Sequence, residues 1–497
     1  MNIVIISTEA VPFAKTGGLA DVCGALPVQL AQRGHQVSLI MPGFRQIRAA
    51  GRDIEETDLS VRVSIDGREI AAKISRSTLP DSDVPVYFIN QPELFDRAQL
   101  YGDEKGDYRD NCLRFAFFSR ACLGAITRLD LQPDIVHCND WQTGLVPAYI
   151  SEDFEQHPWM NRAASLMTIH NMAYQGVFPK ENLSLTGFDW GQFHHNGLEF
   201  YDQINLLKTG IQYADTVTTV SARYAEEIQT EEHGCGLQGV LQARSESLFG
   251  VPNGIDTGIW NPQTDPHLAA NYSLDNWAEG KNANKRAIQE RFGMEVDHEA
   301  PVIGLVGRLA EQKGWELVIE SMQHFLASGH EAQWVVLGTG APHYHDALTQ
   351  LAEKYSGRLG LHLGFSDALA HQIEAASDIF LMPSRYEPCG LNQLYSLRYG
   401  TVPVVNPTGG LADTVVDTCE QTLAEKTSSG FYLSTFDAPG LTAALSKALR
   451  IRSQEPEKWS QIVTTGMQQD WSWGRSADRY VQIYGDTAAR KGRKVRI

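Results

Sequence analysis

The sequence predicts an α/β protein built from two doubly wound parallel sheets, and three observations carry that expectation. Short β-rich apolar runs alternate with longer helical patterns along the chain. Each half opens with a strand, a glycine-containing turn with a lysine, and a helix: NIVIISTEAVPFAKTGGLAD first, VIGLVGRLAEQKGWE later. Between them, around 248–300, the pattern lapses into a polar stretch containing VPNGIDTGIWNPQTDP before restarting at Val302. Near-continuous apolar strands bounded by helices indicate sheets covered on both faces.

The first-half strands are expected at Ile3–Ile6, Val37–Met41, Val84–Ile89, Ile135–Cys138, Leu166–Ile169 and Thr216–Val220. Those of the second are expected at Val302–Val306, Trp334–Leu337, Ile379–Met382 and Val402–Val405. One segment departs from this pattern: Leu59, Val61, Val63 and Ile65 alternate, Asp66-Gly67 follows, then Ile70, Ala72 and Ile74. Period two around Asp-Gly predicts an inserted hairpin over 59–75. Trp315, Val318, Ile319, Met322, Phe325 and Leu326 have the spacing of an amphipathic helix. Leu19, Val22, Leu26 and Leu30 do so more loosely, with Pro27 expected to kink the helix.

The 497 residues would suit about three domains at roughly 150 each, but the pattern favours two. We expect domains at 1–250 and 251–472, facing each other across a deep cleft. The segment 473–497 is expected to be a C-terminal helix that crosses back to the first domain, followed by a basic tail, with Arg490, Lys491, Arg493, Lys494 and Arg496 expected in solvent.

Composition narrows the function. With Lys+Arg 42 and Asp+Glu 60 the net charge is −18, which disfavours nucleic acid and anionic membranes as general partners. Hydrophobic residues at 42% suffice for full-sized cores, so a mostly disordered chain is excluded. No run approaches the ~20 apolar residues of a spanning helix. The opening MNIVIISTEAVPF lacks a basic leader, and the seven scattered cysteines form no CxxC. A cytoplasmic protein is expected, and the oligomeric state stays open.

The glycine turns could let backbone N–H groups approach an anion at a helix start, with Arg308 and Lys313 beside the second. The hexapeptide TGGLAD occurs twice, at Thr16–Asp21 and Thr408–Asp413, which strengthens an anion reading over mere tight packing. Neither glycine turn has the GxGxxG spacing, and GxxxxGK[ST], HExxH and GxSxG are missing, so dinucleotide, NTPase, zinc-hydrolase and serine-hydrolase readings fall. Polar groups gather at predicted strand ends: Asn139, Asp140 and Trp141; His170 and Asn171; Glu387, with Cys389 and Gly390 opening a helix. Carboxylates, imidazole, amides and aromatics around an anion cradle suit sugar chemistry.

At these residues the chain resembles the bacterial and plant glycogen (starch) synthase family. The resemblance rests on KTGGLADV (15–22), HCNDWQ (137–142), HNMAYQG (170–176), NGID (253–256), RLAEQKG (308–314), EPCGLNQLY (387–395) and TGGLADTV (408–415). It implies a GT-B glycosyltransferase that moves glucose from ADP-glucose to the non-reducing end of an α-1,4-glucan with retention, needing neither metal nor cofactor. On that resemblance Arg308 and Lys313 hold the diphosphate. Glu387 supports charge at the anomeric carbon, while Asp140 and His170 meet the donor glucose and the reacting centre. The nucleotide-sugar set adds Lys15, Gly17, Gly18, Asp21, Asn253, Phe365, Cys389, Gly390, Leu391, Thr408 and Gly409. Within it, Gly17, Gly18, Thr408 and Gly409 would donate N–H groups, Phe365 would lie near adenine, and Cys389 would mainly pack. Tyr386 and Asn392 stand where the family often has Phe and Thr.

The choice between ADP- and UDP-glucose stays open at this level. Competing readings are another GT-B enzyme, such as a sucrose synthase or phosphorylase relative, and a non-catalytic glucan-binding protein. The first should lack the KTGGL and HNMAYQG contexts; the second should have lost Glu387, Lys313 or Asp140.

Overall fold

The computed structural model describes residues 1–49, 51, 53–154 and 156–492. The chain forms two compact units, Met1–Gly254 together with the chain from Trp473 onward, and Ile255–Ser472. The first break lies at Gly254/Ile255 and not at 250/251. The reason is local: the Val251 N–H still bonds the Thr219 carbonyl at 2.8 Å, extending the first unit's sheet pairing.

In the first unit nine strands share one sheet: β1 (Asn2–Ile6), β2 (Gln36–Pro42), β3 (Glu55–Ile65), β4 (Arg68–Thr78), β5 (Pro85–Asn90), β6 (Ile135–Asn139), β7 (Ala164–Ile169), β8 (Thr216–Thr219) and β9 (Leu248–Gly250). Their order is β9-β8-β7-β6-β1-β2-β5-β4-β3. All pairs from β9 to β5 are parallel. The expected hairpin is β3–β4, antiparallel, with Val63 opposite Ile70 and positive φ at Asp66 and Gly67. It extends the sheet edge through β5. A small antiparallel sheet of Val177–Pro179, Glu199–Phe200 and Gln203–Asn205 had no sequence signal, since two or three residues cannot display a period.

The second unit has β10 (Val302–Val306), β11 (Gln333–Gly338), β12 (Leu359–Leu363), β13 (Ile379–Met382), β14 (Val402–Val405) and β15 (Phe431–Tyr432). They are all parallel, in the order β12-β11-β10-β13-β14-β15. Alternation assigns the two faces. Ile303, Leu305, Ile379 and Leu381 enter one core cluster; Val302, Phe380 and Met382 enter another on the opposite face.

Strand order reverses between β1 and β6 in the first unit and between β10 and β13 in the second. The crevice beyond the carboxyl ends of such strands is where doubly wound sheets bind ligands. Both crevices hold residues singled out above.

The helix Trp473–Arg490 packs into the first unit through Trp473, Ala477, Tyr480, Ile483, Tyr484 and Ala488. Arg33 ties it to the helix Gly18–Gln32, with Nε 2.6 Å from Asp478 and Nη2 donating to the Gly474 carbonyl. The Gly18–Gln32 helix runs through Pro27. Arg490 and Lys491 are not free in solvent: Arg490 donates to Thr216 Oγ1 at 2.8 Å, and Lys491 pairs with Asp215 at 2.5 Å. Arg493, Lys494 and Arg496 lie outside the described residues. Among the described residues no helix is long and apolar enough to cross a membrane.

Candidate active site

In the first unit the site grows from the ends of β1, β6 and β7. Asn139 closes β6, fully buried; its Nδ2 donates to the Ile6 carbonyl at 3.1 Å, so its Oδ1 accepts from His170 Nε2 at 2.9 Å. That pairing puts the His170 proton on Nε2 and leaves Nδ1 an acceptor. Burial holds the His170 imidazole down to about 3, so it is neutral at working pH.

Asp140 has φ +56°, a conformation costing on the order of 1–3 kcal/mol for a residue other than glycine. Its surroundings hold it there: its N–H bonds the Thr168 carbonyl at 2.9 Å, and its Oδ1 accepts the His170 N–H at 2.8 Å. Burial pushes its carboxyl up to about 7, and the nearby Glu9 charge adds to this. His137 is a packing residue below the site, between Tyr484 and Thr168 at 2.8 and 2.6 Å.

The turn Lys15–Gly18 lies beyond β1. Lys15 is exposed and pairs with Asp21 at 2.7 Å. The Gly17 N–H, expected to meet a phosphate, instead donates to Glu9 at 3.2 Å. A carboxylate of the chain has taken it, leaving Gly18, the first residue of the helix Gly18–Gln32, as the open part of that turn. Sequence reasoning missed Glu9; its only sequence signal was an acid placed between a strand end and a glycine-led helix. Asn253 is buried, and its Oδ1 has no hydrogen-bond partner among the described residues, which suits an atom awaiting a ligand.

In the second unit five expected residues line one cavity of about 200 Å³: Arg308, Lys313, Glu387, Gly390 and Leu391. Arg308 follows β10; its carbonyl is fixed by Trp315 Nε1 at 2.8 Å, and its guanidinium is exposed with one 3.2 Å contact to Gln312. Lys313 donates to Glu387 Oε2 at 2.6 Å, and Ser384 donates to the same oxygen at 2.9 Å. Lys313 keeps further donor capacity for an anion.

The second glycine pair is wedged against this loop. Gly410 N–H donates to the Glu387 carbonyl at 3.0 Å. A Cβ on Gly409 (φ +46°) would stand 2.0 Å from that oxygen, and one on Gly410 would stand 1.9 Å from the Cys389 carbonyl. Thr408 precedes the short helix Gly409–Thr414. Cys389 and Gly390 precede, and do not open, the helix Asn392–Arg398, because Gly390 and Leu391 turn the chain first; Cys389 is buried as a packing residue. Asn392 donates to the Val306 carbonyl at 2.7 Å, bracing the cavity wall. Phe365, just past β12, is 88% exposed and available for stacking, but does not line this cavity.

Neutral imidazole and a high-pKa carboxyl in one unit suit recognition of sugar hydroxyls. In the other, a lysine paired with a carboxylate and an arginine lining the same cavity suit a diphosphate leaving group. Among the described residues no group of three or more His, Cys, Asp or Glu could hold a metal ion.

Residues 2–243 match the family model described as starch synthase catalytic domain, and residues 287–462 match glycosyl transferases group 1. Glycogen synthase of Rhodopirellula baltica is 49% identical over 503 residues, covering 99% of each chain. That of Syntrophotalea carbinolica is 46% identical over 484 residues, 97% of this chain and 98% of the relative. Among solved structures, the catalytic domain of starch synthase IV from Arabidopsis thaliana, bound to ADP and acarbose, matches with TM-score 0.88 and 34% identity. It covers 98% of this chain and 99% of that one. Sucrose-phosphate synthase from Thermosynechococcus elongatus shares the fold, with TM-score 0.59 and 17% identity over 98% and 99% of the chains.

Proposed function

The chain belongs to the glycogen (starch) synthase family, and on that premise we propose that it transfers glucose from ADP-glucose to the non-reducing end of an α-1,4-glucan with retention of configuration. It is a glycosyltransferase of glycogen or starch synthesis; the donor nucleotide, the acceptor end and the residue roles are our reading. The observation that carries the roles at the leaving group is the Arg308–Lys313–Glu387–Ser384 cluster at the second unit's switch point.

In this reading Arg308 and Lys313 bind the diphosphate and stabilise the oxygen on which ADP departs. Removing such a donor costs about 10²–10³ in rate. Glu387 holds Lys313 in place and offers negative charge as the anomeric carbon becomes positive. The acceptor 4-hydroxyl enters on the face that ADP leaves, and its proton passes to a phosphate oxygen of the departing ADP. His170 Nδ1 accepts from a glucose hydroxyl, and Asp140 lies toward the reacting carbon. Lys15, Gly18, Asn253, Thr408 and Gly409 complete the sugar and phosphate contacts, and Phe365 stacks on adenine.

The two cations supply the charge neutralisation themselves, so the reading assigns no metal or cofactor; transfer should persist in excess chelator. The neutral glucan suffers no repulsion from a chain of net charge −18. Location in the cytoplasm is part of the same reading. The test offers radiolabelled ADP-glucose or UDP-glucose with glycogen. Label in α-linked polymer from ADP-glucose supports the reading, preference for UDP-glucose corrects the donor, and no polymer label from either overturns it.

A further inference from the structure

Glu9 follows β1 by three residues, and its side chain is 3% exposed. One carboxylate oxygen accepts the Thr16 N–H at 2.5 Å and the Gly17 N–H at 3.2 Å. The other accepts the Thr16 hydroxyl at 2.6 Å and the Tyr101 hydroxyl at 2.8 Å. Thr8 in turn contacts the Tyr101 hydroxyl at 2.7 Å. Four donors on a buried carboxylate at a helix start neutralise it well. An ordinary helix cap comes from the residue next to the helix. Glu9 instead reaches across its own loop, which Ala10 and Ala14 pinch shut through reciprocal N–H to carbonyl bonds of 3.1 Å. The loop so closed carries Lys15 and leads to Gly18.

We propose that Glu9 is a positioning residue for glucosyl transfer: its carboxylate takes the place of an external anion at the start of the helix Gly18–Gln32 and fixes the Lys15–Gly18 turn before substrate arrives. The role rests on the transfer reaction proposed above. It also implies that donor phosphates do not use the Gly17 N–H, which Glu9 already holds.

The test uses the full chain with Glu9→Gln, Glu9→Asp and Tyr101→Phe, and two readouts. Amide hydrogen exchange at Thr16 and Gly17 is followed without substrate, and kcat and KM are measured with ADP-glucose and glycogen. Glu9→Gln should speed exchange at both amides and lower kcat about 10²-fold, the scale of an ångström-sized misplacement, with KM for ADP-glucose changed less than about threefold. Glu9→Asp should show the same changes to a smaller degree. Unchanged kcat, or unchanged exchange, in folded Glu9→Gln overturns the proposal. If Glu9→Gln does not fold, Tyr101→Phe decides: a fall in kcat at constant KM supports the role, and wild-type kcat overturns it. Should the wild-type chain transfer no glucose, the reaction reading fails, and the exchange readout alone then confirms or refutes the hold on the turn.

Discussion

The two TGGLAD copies have the same six residues and opposite surroundings. In the first, Gly17 is extended (φ −157°), has open space where a Cβ would go, and gives its N–H to a carboxylate. In the second, Gly409 has φ +46° and touches the Glu387 carbonyl so closely that a Cβ has no room. The first copy begins a fifteen-residue helix, the second a six-residue one. A short motif therefore sets what the backbone can do, while its neighbours set what it does. In the first unit an internal anion fills the helix start; in the second the glycines let one loop press against another that carries Lys313's partner.

The contrast should extend to function. The largest effect should come from the second unit: Lys313→Ala or Arg308→Ala should lower kcat about 10²–10³-fold, measured by label transfer. Lys15→Ala should cost less, because Lys15 is 53% exposed and shares its charge with Asp21. Equal losses for Lys15 and Lys313 would erase the distinction. Next, Gly409→Ala should destabilise the fold by about 2–4 kcal/mol in denaturant titrations, combining a left-handed φ with an unyielding backbone contact. Gly17→Ala should stay within about 1 kcal/mol of the parent; the reverse ranking would refute the geometric argument.

A third effect is in pH. The folded chain holds the Asp140 carboxyl up at about 7, above an ordinary carboxylate. A raised folded pKa means that ionising Asp140 costs folding stability as pH rises from about 4 through 7. Asp140→Asn should therefore gain stability relative to the parent over that window. If the ionised form serves the reaction, kcat/KM of the parent rises through a limb near pH 7 that Asp140→Asn lacks. The smallest effect is expected at Phe365→Ala: a several-fold rise in KM for ADP-glucose, the size of one lost exposed stacking contact, with kcat retained.

Much of the fold was legible because buried parallel strands are continuous apolar runs, and the β3–β4 hairpin announced itself through alternation around Asp66-Gly67. The strands β12 (LGLHL) and β15 (FY) were not: Gly360 and His362 interrupt the apolar run of β12, and two residues cannot display a period. In the second unit Arg308, Lys313 and Glu387 were legible as charged residues just past strands, and the fold brings them to one cavity. Glu9 was not, because its role depends on a loop folding back on itself, and no spacing encodes that. The hold on Gly17 likewise arises from a tertiary contact. The charge of −18 also needed reading by place: its compensating cations, Arg308 and Lys313, are two residues in one crevice.

The measurement that tests the central claim most directly follows labelled glucose from ADP-glucose onto glycogen, with the parent chain and Lys313→Ala assayed side by side and ADP binding measured on both. The predicted result is α-1,4-linked label from the parent, with Lys313→Ala folded but weakened in ADP binding and slowed at least a hundredfold. An unlabelled polymer from the parent, or equal labelling by Lys313→Ala, would contradict it.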